Sequence, residues 1–111
     1  MLNVTNQTAP NIAPSTAHLV AELGRIRQVL DVLPLPDETA TKSHQELAET
    51  EVALLEPDPD RRRITGSMER LTLVLAASGA LDHAGRALSE PIGSIADWLG
   101  DKGQTIRQLL G

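Results

Sequence analysis

The side chains able to do chemistry in this sequence are three histidines, a group of glutamates and a run of arginines. His18, His44 and His83 lie far apart, and none has a histidine partner four residues away. Histidine ligands of metals normally cluster, so no metal site is expected. His83 follows Asp82, but adjacent residues on a helix point to different sides. His44 falls on an apolar stripe and is expected to be a boundary or core histidine bonded to a neighbour. Glu46, Glu49, Glu51 and Glu56 are close in sequence. Paired acids do general acid–base work when burial splits their pKa values. These alternate around a face without aromatic or apolar shielding, which is the pattern of a solvated surface.

Arg61, Arg62 and Arg63 stand at the start of a helical stretch, where positive charge opposes the helix dipole. Two readings account for that cost. The arginines pair with acids at the end of the preceding helix, or with Asp58 and Asp60. Alternatively they anchor an acidic partner or a phosphate. Ser67, Ser78, Ser89 and Ser94 have no strand–turn–helix to make one of them a nucleophile. Gly79, Gly85, Gly93, Gly100 and Gly103 form no phosphate loop. There is no cysteine, which removes disulfides, thiolate catalysis and cysteine-based zinc sites. The residues therefore predict no catalytic site, no cofactor and no small-molecule substrate.

Something must still position these residues. The chain has 111 residues, enough for one domain. It is 41% hydrophobic, yet Trp98 is its one aromatic residue. A core of Leu, Ile, Val, Ala and Met suits interdigitating helices better than sheets. The net charge of −5 and the absence of a basic face argue against nucleic acid. The N-terminus lacks a basic segment followed by an apolar run, so a cytoplasmic location is expected.

Residues 1–14 are polar, carry two prolines and read as a flexible arm. A single helical domain is expected over 15–111. The first helix should open at Ser15 or Thr16. Its apolar residues, Leu19, Leu23, Ile26, Leu30 and Leu33, are spaced 4, 3, 4, 3, the seam of a helix bundle. Val20 and Val29 widen it, Gly24 offers room for a close neighbour, and Pro34 and Pro36 end it. A second helix runs from Asp37 to about Glu56, with a weaker inward stripe of Ala40, His44, Leu47, Ala48, Val52 and Leu55 and with Leu54 beside them. Pro57 ends it. Asp58 is the expected cap of the third helix, with Pro59 in its first position and Asp60 in its first turn. Ile64, Met68, Leu71, Leu75 and Ser78 repeat the 4, 3, 4, 3 seam. Leu73 and Val74 broaden it, and Gly79 is the expected residue just past its end. Residues 80–90 form a shorter helix or a bent continuation of the third. Pro91 should break the chain and open a further short helix, closed by Gly100.

Several of these stretches, taken in order, carry a resemblance. The Leu-Pro ending Val32-Leu33-Pro34 is followed by an acidic helix and the connector Glu56-Pro57-Asp58-Pro59-Asp60-Arg61. Then come Met68-Glu69-Arg70-Leu71-Thr72-Leu73-Val74-Leu75 and the closing Pro91-Ile92-Gly93-Ser94-Ile95-Ala96-Asp97-Trp98-Leu99-Gly100. The order, over about residues 15–100, resembles that of small, largely uncharacterised all-helical actinobacterial proteins. Its tail is also similar to those of modules that accompany effectors in bacterial conflict and signalling systems. The resemblance implies an adaptor or effector-associated role and carries over no catalytic residue.

The expectation is thus an all-α fold: a helical hairpin packed on a long third helix, with short C-terminal helices. Its expected function is non-enzymatic: an adaptor or scaffold that binds a protein partner, including a second copy of itself. Arg61, Arg62, Arg63, Val20, Val29, Val74 and Trp98 are the candidate contact residues. An alternative is a membrane-associating effector acting through the apolar residues 71–110, although the basic polar face that favours membranes is missing.

Overall fold

Prolines and glycines divide the chain into helices of unequal length. The computed structural model describes residues 14–111, and the described part is all-α, as expected. The arm expected over residues 1–14 lies outside it, except Pro14, which opens the first helix. The helices are α1 (Pro14–Val32), α2 (Asp37–Leu54), α3 (Arg61–Ala77), α4 (Ala80–Ala84), α5 (Arg86–Leu99) and α6 (Gln104–Leu110). A 3-10 turn, Gly100–Gly103, joins the last two. No described helix is long and apolar enough to cross a membrane.

The helix ends show which punctuation the chain obeys. α1 starts at Pro14, one or two residues before the expected caps, because proline's fixed φ suits a first helical turn. Pro34 and Pro36 close it as expected. The Pro36 carbonyl accepts from the Ala40 amide at 2.9 Å and so begins α2. The cap of α3 is Asp60, not Asp58. Its carboxylate accepts from the Arg62 and Arg63 amides at 3.0 and 3.4 Å. Asp60 has extended backbone angles and lies two and three residues before those donors, the reach that a capping carboxylate needs. α3 ends at Ala77, and Gly79 follows with φ +84°, the left-handed residue expected there.

Pro91 does not break the chain. It is buried inside α5, which runs unbroken from Arg86 to Leu99. An interior proline forfeits one backbone hydrogen bond and strains the preceding turn, at about 3 kcal/mol. Burial of its ring, together with Leu88, Ile92, Ile95, Ala96 and Leu99, offsets that cost. The break falls instead at Gly85, with φ +57° and ψ −127°, a conformation open to glycine alone.

Packing follows from the seams. Leu19, Leu23, Ile26 and Leu30 of α1 are buried, as are Ile64, Met68, Leu71 and Leu75 of α3. The two most extensive helix contacts are α2 with α3 and α1 with α5. α1 also meets α2, and α6 covers α3 and α5. The hairpin and long third helix are therefore present, and α5, kept whole through Pro91, closes the bundle against α1.

The buried face of α2 is the expected one at Leu47 and Leu54 and differs elsewhere. Ser43, Leu47, Thr50, Ala53 and Leu54 are buried, whereas Ala48, Val52 and Leu55 are exposed. The inward line Ser43-Leu47-Thr50-Leu54 has the same 4, 3, 4 spacing as the other seams. Two of its members are polar, which hides it from an apolar count. The Thr50 hydroxyl reaches the Glu46 carbonyl at 2.8 Å and lies 2.6 Å from the Ser67 hydroxyl of α3. Ser67 in turn reaches the Ile64 carbonyl at 3.1 Å. The two hydroxyl hydrogens serve these three contacts between them, so Thr50 and Ser67 are both paired inside the core, whereas the buried Ser43 hydroxyl has no protein partner among the described residues. Leu73, expected to broaden the α3 seam, points outward and is 52% exposed.

Candidate functional site

The end of the molecule where α2 turns into α3 gathers most of the residues singled out by the sequence. Successive helical residues are rotated by roughly 100°, so a run of three arginines points three ways. Arg63 alone faces the acidic end of α2. Its Nε donates to Glu49 Oε2 at 2.6 Å and its terminal nitrogen to Glu56 Oε2 at 3.3 Å. The hydrogen bond and charge of Arg63 hold the Glu49 carboxyl below its ordinary range. The same bond pushes the Arg63 guanidinium upward. Two turns further along α3, Arg70 donates to Glu46 at 3.0 Å, which also raises the Arg70 guanidinium.

Arg61 turns the other way, onto α5. It donates to the Trp98 carbonyl at 2.9 Å, and its guanidinium carbon lies 4.1 Å from the centre of the Trp98 ring. This is cation–π geometry combined with a bond to a carbonyl in the last turn of the helix. Two candidate contact residues, distant in sequence, are therefore partners of each other. Arg62 is exposed, and its side chain joins no ion pair among the described residues. Of the two readings of the triplet, pairing with α2 holds for Arg63, and Arg62 is left facing solvent.

The valines sit differently. Val20 and Val29 are half-buried and pack against the core. Val74 is half-buried in a shallow depression of about 290 Å³, lined also by Glu38, Thr39, Lys42, Ala77 and Ser78. The seams of α1 and α3 are buried in the core except at their last residues, Leu33 and Ser78. Val32 and Leu73 face outward singly, and Ala48, Val52 and Leu55 do so together on α2, with Val52 52% and Leu55 48% exposed. Their i, i+4, i+7 spacing places them in one row along the helix. Ion pairs border the row. On the α1 side Arg27 donates to Glu51 at 3.0 Å. On the α3 side stand the pairs of Glu49 and Glu46.

The sequence reading missed this row because it assigned the same three residues to the core. The signal that would have found it is the parallel line Ser43-Leu47-Thr50-Leu54, once a serine and a threonine are admitted as seam residues.

The histidines stay separate. His44 sits at the α1–α2 boundary as expected, but its ring lies 3.6 Å from Asp31, beyond hydrogen-bond distance. His18 lies 3.1 Å from Glu22, whose side chain is only 7% exposed. No group of three possible metal ligands comes together among the described residues. Glu46, Glu49 and Glu51 of α2 are engaged by arginines of α3 and α1, an arrangement that holds helices together. Comparison with protein families, with curated proteins and with solved structures finds no match to this chain.

Proposed function

We propose that this protein is a non-enzymatic interaction module that engages a protein partner, including a second copy of itself, through the outer face of α2. The observation that carries this reading is the exposed row Ala48, Val52 and Leu55 framed by ion pairs on both sides. An apolar centre with a polar rim is the anatomy of a protein contact surface. The i, i+4, i+7 spacing matches the way one helix anchors on another. Arg62, free and on the adjoining end, supplies a residue type enriched at such contacts. The likeness to effector-associated actinobacterial modules agrees with an adaptor or scaffold role.

The membrane alternative drew on the apolar residues of 71–110. Leu71, Leu75, Leu88, Ile92, Ile95, Leu99 and Ile106 are buried in the folded chain, so they support the core and leave the interaction reading the better founded.

Sedimentation equilibrium over a wide concentration range, with pull-down from the native cells, tests the proposal. Association or capture that is lost in Val52→Asp and Leu55→Asp, both at exposed positions, is the expected result. A strict monomer that captures nothing would overturn it.

A further inference from the structure

Apart from the α2 row, the opposite end of the molecule holds a concavity of about 350 Å³ where α3, α4, α5 and α6 converge. That volume lies in the range of small-molecule sites, about 300–1,000 Å³. Its apolar wall is Ala76, Leu81, Leu109 and Leu110. Its two polar side chains are Asp82 and Ser89. Gly85 forms part of the lining with φ +57°, and a Cβ built on it would meet nothing within 4 Å. The chain break that ends α4 thus leaves open space where another residue would project a side chain.

The chemistry of the lining is one-sided. Asp82 brings a carboxylate, an acceptor only when ionised, and Ser89 a hydroxyl that also accepts. Asp82 joins none of the ion pairs among the described residues, although Arg86 stands four positions on. No basic side chain lines the concavity. We propose that this concavity binds a small primary ammonium carried on an apolar stem. The ammonium lies on the Asp82 carboxylate and the Ser89 hydroxyl, and the stem lies against Leu81, Leu109 and Leu110. Charge-assisted hydrogen bonds orient the head, and the leucines select for a methylene chain. The chain's net charge of −5 favours approach of a cation.

The test is an amide-resolved NMR titration of the full chain with n-hexylammonium, 1-hexanol and hexanoate in parallel. Saturable shifts at residues 81–89 and 109–111 are expected, strongest for hexylammonium and weakest for hexanoate. Shortening the stem from six to four carbons should weaken binding by up to about fourfold per methylene lost. In Asp82→Asn, whose exposed side chain is not part of the core, hexylammonium should bind at least tenfold more weakly and match hexanol. A free alkylamine and the arm of a lysine share this chemistry. Tighter binding of hexylammonium than of Nα-acetyl-lysine methylamide assigns the site to the former, and the reverse order to the latter. No saturable shift at these residues, a wild-type preference for hexanol, or an unchanged Asp82→Asn response would each overturn the proposal.

Discussion

The α2–α3 hairpin and the α1–α5 contact are the two largest helix pairings of the molecule, and they are built on different principles. The hairpin is laced with polar groups. Thr50 and Ser67 meet in its interior, and Glu49, Glu56 and Glu46 pair with Arg63 and Arg70 along its edge. Between α1 and α5 no hydrogen bond or ion pair stands among the described residues, and the buried leucines and isoleucines of the two helices do the holding. Apolar burial supplies most of the free energy but little directional information. A buried hydroxyl pair supplies less energy, and the contact between its two members forms in only one register. On this view the hairpin sets the alignment and the α1–α5 contact supplies the bulk of the stability.

The largest effect should come from the apolar side. Leu23→Ala, at a fully buried α1 position, is expected to cost about 3 kcal/mol, within the 2–5 kcal/mol of such truncations. Urea unfolding measures it. Thr50→Val should cost about 1–2 kcal/mol. Combined with Ser67→Ala it should cost less than the sum of the two single changes, because neither hydroxyl is then left without its partner. If Thr50→Val proved as costly as Leu23→Ala, or the cycle showed no coupling, the division between the two pairings would fall.

The α3 cap comes next. Asp60→Ala should lose about 1 kcal/mol, and Asp58→Ala should change the melting temperature little. A reversed order would return the cap to Asp58. Gly24 sharpens the comparison from the other direction. It lies inside α1, and a Cβ built there meets nothing within 4 Å, so no close neighbour requires the glycine. Gly24→Ala should raise stability by up to about 1 kcal/mol.

The smallest effect belongs to the exposed rim. Glu49 has its carboxyl held below the ordinary 4.5, chiefly by the hydrogen bond from Arg63. The stabilisation it brings is fully present above that ordinary value and fades as pH falls through the lowered one. Glu49→Gln should therefore flatten the acid limb of the stability profile below about pH 4.5. Near neutral pH it should act weakly, as exposed pairs do. An unaltered acid limb would show that the pair does not differ between folded and unfolded chains.

Much of this architecture is legible before folding. The seams of α1 and α3, the stop at Leu33-Pro34, the left-handed Gly79 and the closure at Gly100 all follow from backbone sterics and from the placement of leucines. Those causes act within a few residues of one another. Three features were not legible in that way. Asp58 and Asp60 are equally good caps by composition, and the choice turns on which backbone turn is adopted. Pro91 is a breaker by its own geometry and stays inside α5 because the ring and its neighbours are buried. Ser43 and Thr50 are polar by type, and for Thr50 burial is possible because Ser67 stands opposite on another helix.

The arginine triplet shows the same boundary. Its place at the start of α3 and its conflict with the helix dipole can be read from the chain alone. That Arg63 meets Glu49, Arg61 meets Trp98 and Arg62 meets solvent depends on helices 14 and 37 residues away. Helix periodicity is local physics, repeated every turn by the same backbone. Which face becomes the inside, and which side chains find partners, is settled only when every helix competes to bury its apolar surface against the others.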